Sequence, residues 1–158
     1  MASHGTGAGV DTDTDTASPG AIVHALYACI SGPAGAPRDW ARFAGLLHPT
    51  ARLMRTGLDA SGLPTLRVMG AAEYPSTAEP LFASRGFYEV EIDRREWRFG
   101  NIAHVLSLYE ARHAPGDAEP ERRGINSIQL YHDGARWWVM SVLWDNERPG
   151  VAATLEHR

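Results

Sequence analysis

The second half of the chain limits the fold most. Four runs rich in aromatic and β-branched residues follow one another over 87–99, 101–112, 123–132 and 136–147. Such residues fit a pleated, half-buried surface. Gly100-Asn101 joins the first two runs and Asp133-Gly134 the last two. Both dipeptides are tight hairpin signals, the second a strong one. Between the second and third runs, HAPGDAEPE is a polar loop. The spacing predicts a long antiparallel meander.

What precedes the meander reads as mostly helical. Ser18-Pro19 combines a capping hydroxyl with proline at the first helical position. Ile22, Val23, Leu26, Tyr27 and Ile30 then recur at helical spacing until Gly32. After the linker SGPAGAP, a second short helix is predicted near 38–47, with Trp40, Phe43, Leu46 and Leu47 on one face and His48-Pro49 as its end. Short strands are expected at 51–55 and 65–69, then a weaker helix over 71–85 that must absorb Pro75 and Pro80. Helices first and a meander last give an α+β class, with helices packed on one face of a bent antiparallel sheet. Residues 1–17, small and polar with a DTDTDT repeat, bury too little apolar surface to offset their ordering entropy and are expected to be a disordered tail. The domain then spans 18–148, and 149–158 form a C-terminal tail.

Composition removes several function classes. The chain has 158 residues, enough for one domain and too few for two ordinary ones. Its net charge of −4 argues against a nucleic-acid partner. No apolar run is long enough to span a bilayer, so no membrane partner is expected. Without a basic, then apolar, N-terminal stretch, the expected location is cytoplasmic. A single cysteine, Cys29, excludes an internal disulfide and a cysteine-based zinc site. All 15 basic side chains are arginine, which removes Schiff-base chemistry and a phosphate-loop lysine.

The element order, the short second helix ending in LLHPTARL, and the closing hairpin RGINSIQLYHDGARWWVMSVLWDNE resemble the nuclear transport factor 2-like superfamily, in its SnoaL-like branch. The resemblance covers residues 18–148. It implies a strongly curved antiparallel sheet wrapped around the N-terminal helices as a cone (cystatin-like), with an apolar pocket at the open end and a homodimer formed through the sheet. Members of the superfamily include ketosteroid isomerases, scytalone dehydratase, limonene-epoxide hydrolase and polyketide cyclases, and also modules without chemistry. Fold therefore leaves activity open.

Carried over residue by residue, the resemblance sets Tyr27 at the donor-tyrosine position of the isomerases. It sets Arg55 where their base would stand, and Asn126 at the position of their protonated acid. Ser127 is the alternative if the register slips by one. Arginine cannot abstract a proton at neutral pH, so the isomerase mechanism in that form is excluded. The hydrolase's Asp-Arg-Asp pattern is not evident. Tyr27 and Asn126 remain as donors to a carbonyl or enolate oxygen, Arg55 as a fork for a carboxylate, and a histidine as the base, with His104 and His48 the candidates. Alternation sets Trp138, Met140, Val142 and Trp144 on the pocket side of the last strand, with Trp144 matching the family's pocket-lining tryptophan. Trp137, Val139 and Leu143 would then face outward, towards a partner subunit.

Each residue also has a plainer reading. Tyr27 can be a core residue with a paired hydroxyl, Arg55 can reach solvent, and Asn126 can satisfy backbone at a bulge. The charged run Glu89, Glu91, Asp93, Arg94, Arg95, Glu96, Arg98 reads as a solvated strand with cross-strand ion pairs. The expected function is binding of an apolar, ring-containing small molecule. Any catalysis would be isomerisation, dehydration or cyclisation, with no cofactor and no metal. The alternative is a non-catalytic dimeric module. A titratable group with a displaced pKa beside Tyr27 and Asn126 would favour the enzyme.

Overall fold

The computed structural model describes residues 12–156. Helix α2 (Pro19–Ile30) forms where the capping pattern predicts it. Ser18 accepts from the Ala21 N–H at 3.1 Å, and Ile22, Val23, Leu26, Tyr27 and Ile30 are buried. Its last turn is closed by a buried guanidinium. Arg38 donates to the carbonyls of Ile30, Gly32, Pro33 and Ala36, so the SGPAGAP linker wraps around a single side chain.

The N-terminal tail begins earlier than expected to be part of the fold. Residues 1–11 lie outside the described residues, but α1 (Thr12–Asp15) is ordered against α2. Asp15 accepts two hydrogen bonds from Arg42, at 2.7 and 2.9 Å. A charge-assisted fork supplies what the apolar count of this segment does not. At the other end, the Arg148–Val151 bridge and the buried Leu155 hold residues 149–156 on the body.

Arg42 lies on α3 (Trp40–Leu46), which ends two residues before His48. Strand β1 (Leu47–Leu58) then runs straight through Pro49. The ladder to the last strand shifts register between Leu47 and Arg52, and such an irregularity is where a strand tolerates proline. The remaining elements are β2 (Pro64–Gly70), α4 (Glu73–Ser84), β3 (Tyr88–Phe99), β4 (Ile102–Arg112), β5 (Arg122–His132) and β6 (Trp137–Asn146). They form one six-stranded sheet in the order β2-β1-β6-β5-β4-β3. The sheet is not wholly antiparallel as expected, because β1 and β6 are parallel. Helix α4 carries the chain from the β2 edge to the β3 edge, and that crossover brings β1 in alongside β6.

Two bulges curl the sheet around α2. In β3 the register shifts between Glu91 and Asp93. In β6 it shifts where Ser141 pairs with Gln129 but Val139 pairs with Leu130, leaving Met140 as the extra residue. A bulge bends its strand and increases the local twist. On the concave face, successive ladder partners form rows. Met69, Leu53, Val142, Ile128 and Val105 make one row, none more than 6% exposed. The next row reads Arg67, Arg55, Trp144, Asn126, Ser107, Arg94. A polar row thus lies directly beside an apolar floor.

Candidate functional site

Between this concave face and helices α2, α3 and α4 lies a cavity of about 610 Å³. The apolar floor and Leu26, Phe43 and Phe82 make it hydrophobic, and the polar row crosses it. Five of the residues singled out from sequence line it: Tyr27, Arg55, Asn126, Val142 and Trp144.

Tyr27 and Asn126 belong to one buried hydrogen-bond chain. Ser107 Oγ donates to Glu91 Oε2 at 2.5 Å, and the Tyr27 hydroxyl lies 2.6 Å from Ser107 Oγ. Asn126 Nδ2 donates to the Tyr27 oxygen at 2.9 Å and to Glu89 Oε1 at 3.5 Å. A hydroxyl has one hydrogen. Ser107 gives its own to Glu91, so Tyr27 must give its own to Ser107 and accept from Asn126. Both amide hydrogens of Asn126 are then taken. Neither residue is the free ligand donor the sequence suggested, and Asn126 presents its Oδ1 instead. Burial first, then the charge of Glu89, pushes the Tyr27 hydroxyl far above its ordinary range.

Glu89 is the group that sequence reasoning dismissed. It stands at the start of β3 on the cavity wall, and its pKa is pushed up to about 7. Burial is the cause, offset partly by the Asn126 hydrogen bond and the Arg122 charge. The surface it retains faces the cavity. The charged run is therefore not uniformly solvated: Glu89 and Glu91 point inward, while Val90 and Ile92 are about half exposed. Phe87 carried the signal. It is buried at 7%, and residues 87, 89 and 91 share one side of a strand.

Tyr74 of α4 also lines the cavity, with no hydrogen-bond partner for its hydroxyl among the described residues. Burial and the charge of Glu89 raise its pKa. Its ring meets Trp144 edge-on at 6.2 Å and stacks on Phe43 at 5.3 Å. Tyr109 donates to Asn146 Oδ1 at 2.5 Å across Gly124. A Cβ on Gly124 would overlap the Tyr109 hydroxyl, so a residue without one is required there.

Four expected site residues lie elsewhere. His104 is on the convex face, 3.0 Å from Ser127 Oγ with its ring against Trp97, and cannot be the base of this cavity. Nor can His48, whose imidazole is held by Thr50 and faces Trp138. Trp138 is also outside: its indole donates to Asp133 at 2.8 Å, and the Arg136 guanidinium covers it at 3.5 Å. Met140 is the bulge residue. One extra residue reverses the parity of β6, so Trp137 and Val139 face the core before it and Val142 and Trp144 after it. The outward reading of Trp137 and Val139 fails for the same reason, while Leu143 does face out, 39% exposed. Among the described residues no three His, Cys, Asp or Glu side chains gather as metal ligands.

No family model matches the sequence, and no curated protein does either. Solved structures do match. A candidate dehydratase from the NTF2-like family of Streptomyces avermitilis superposes with a TM-score of 0.59 at 13% identity, over 87% of this chain and 98% of that one. A candidate ketosteroid isomerase from Shewanella frigidimarina gives 0.54 at 16% identity, over 87% and 98%. An NTF2-like protein of unknown function from Silicibacter pomeroyi gives 0.56 at 13%, over 83% and 94%.

Proposed function

We propose, for a chain whose fold is that of the NTF2-like proteins, an acid–base catalyst of the SnoaL-like kind that isomerises, dehydrates or cyclises an apolar, ring-containing small molecule. Glu89 carries this reading. A carboxyl with a pKa of about 7 in an apolar cavity can both take and return a proton near neutral pH. Ionised Glu89 removes a proton from carbon beside a carbonyl. The C–H electron pair moves into the enolate, and the developing oxygen charge meets the unpartnered Tyr74 hydroxyl. Returning the proton to a different carbon isomerises the substrate. Giving it to a departing hydroxyl dehydrates it. Asn126, fixed by Tyr27, holds the Glu89 carboxyl in place.

The test is exchange of the α-hydrogens of 2-tetralone in D2O, followed by proton NMR. Wild type should accelerate exchange saturably, with a rate that rises with pH and levels above about 7 as Glu89 ionises. Glu89→Gln should lose roughly 10²–10⁴-fold. No acceleration by wild type, or an undiminished rate in the variant, would overturn the reading.

A second copy of the chain is the proposed cover for the convex face. Phe99, Ile102, Tyr131 and Trp138 form one ladder row there, and Phe99 and Ile102 are 83% and 56% exposed. Adjoining apolar side chains of this size are typical of an interface.

A further inference from the structure

The polar row holds a feature that proton transfer at Glu89 does not use. Arg55 and Arg67 are direct partners in the β1–β2 ladder, and both line the cavity. Opposed side chains in such a pair leave their Cβ atoms about 5 Å apart, and like charges so placed destabilise the sheet. Both side chains are exposed, and a protein carboxylate stands near only one of them. Arg55 makes no hydrogen bond or ion pair with any described residue. Arg67 reaches Thr77 on the cavity wall at 3.2 Å and the exposed Glu73 at 3.7 Å. On the other side of Arg55 stands Trp144, which offers no counter-charge. Of the three arginines on the cavity wall, Arg122 is paired with Glu121 at 3.1 Å and Arg67 with Glu73, which leaves Arg55 without an ion pair among the described residues.

We infer that the substrate of this cavity carries a carboxylate seated between Arg55 and Arg67, with its apolar body along Trp144 and its reacting carbon near Glu89. The inference rests on the acid–base reading of the cavity and adds the substrate's charge. Two planar guanidiniums on directly paired residues of neighbouring strands suit the two oxygens of a carboxylate. The row also sets a length. Asn126, whose amide touches the Glu89 carboxyl, Trp144 and Arg55 occupy consecutive strands, so Asn126 and Arg55 are separated by roughly two strand spacings, or about 10 Å. That distance fits an acid whose ring system is about two fused rings long, lying on the indole.

Isothermal titration with 2-naphthoate and 2-naphthalenemethanol isolates the charge, because the two probes share one ring system. Wild type should bind the acid at least tenfold more tightly than the alcohol. Arg55→Gln and Arg67→Gln should each weaken the acid about tenfold and leave the alcohol within twofold, with unchanged melting curves as the folding control. Equal affinity for the two probes, or acid binding indifferent to both substitutions, overturns the carboxylate assignment. Failure of both probes to bind overturns it too. Exchange of 2-tetralone, which carries no charge, reports on Glu89 separately, so failure of the acid–base reading is distinguished from failure of the carboxylate assignment.

Discussion

Replacing Glu89 by glutamine examines the cavity's electrostatics without any substrate. In the unfolded chain this carboxyl titrates at its ordinary 4.5, and in the fold burial raises it to about 7. Between those values the folded chain holds a proton that the unfolded chain has released, so stability must fall as pH rises through the window. Each pH unit is worth 1.36 kcal/mol, and the rise from 4.5 to about 7 therefore amounts to about 3 kcal/mol. Glutamine has nearly the same shape, cannot ionise, and still offers a carbonyl to Asn126. Urea unfolding should give equal stabilities for wild type and Glu89→Gln near pH 4.5. The variant should gain steadily above that and lead by about 3 kcal/mol at about pH 8, with m unchanged. A difference independent of pH would refute the reasoning, since it would place the carboxyl in solvent. So would a variant less stable than wild type at about pH 8.

Three further expectations concern the scaffold. Gly124→Ala forces a Cβ onto the Tyr109 hydroxyl and to 2.5 Å from the Asp145 carbonyl, and should cost about 1–3 kcal/mol in urea unfolding. Asp15→Asn breaks the fork to Arg42 and should cost roughly 1.5 kcal/mol at neutral pH. Because Arg42 holds the Asp15 carboxyl below its ordinary 3.8, that difference should shrink as pH falls below this value. Ile102→Lys should convert a dimer, twice the 17.2 kDa chain in light scattering, to a monomer.

The order and type of the elements were legible because each is written in local pattern: Ser18-Pro19 before α2, aromatic runs in the meander, Gly100 and Gly134 at its turns with positive φ. Tyr27, Arg55 and Asn126 were named through the resemblance to the NTF2-like superfamily, and all three line the cavity. What misled was the bulge. Strand parity reads faces correctly only while every residue has a partner, and Met140 has none. Trp138 and Met140 were lost to that single insertion. Glu89 was lost differently, because charge ordinarily signals solvent. Its inward direction is dictated by Phe87 and by the cavity, and the cavity exists only once α4 crosses from one sheet edge to the other.

The direction of the buried hydrogen-bond chain leaves Glu89, rather than Glu91, short of donors. Asn126 donates to Tyr27, Tyr27 to Ser107, and Ser107 to Glu91, so every strong bond in the chain points away from the cavity. Glu91 receives the short bond and also has Arg94 at 3.3 Å. Glu89 is left with the long contact to Asn126, at 3.5 Å. A buried carboxyl with few donors holds its proton, because nothing replaces the water that its charge would need. Removing its donor should therefore tune Glu89. In Asn126→Leu, a side chain of similar size without polar atoms, Glu89 loses the hydrogen bond that favours its ionised form. The midpoint of the Glu89 titration, followed by carbon-13 NMR of the side-chain carboxyl, should then rise above its wild-type value of about 7. An unmoved midpoint would mean that burial alone sets it, and that the chain serves only to hold α2 against the sheet.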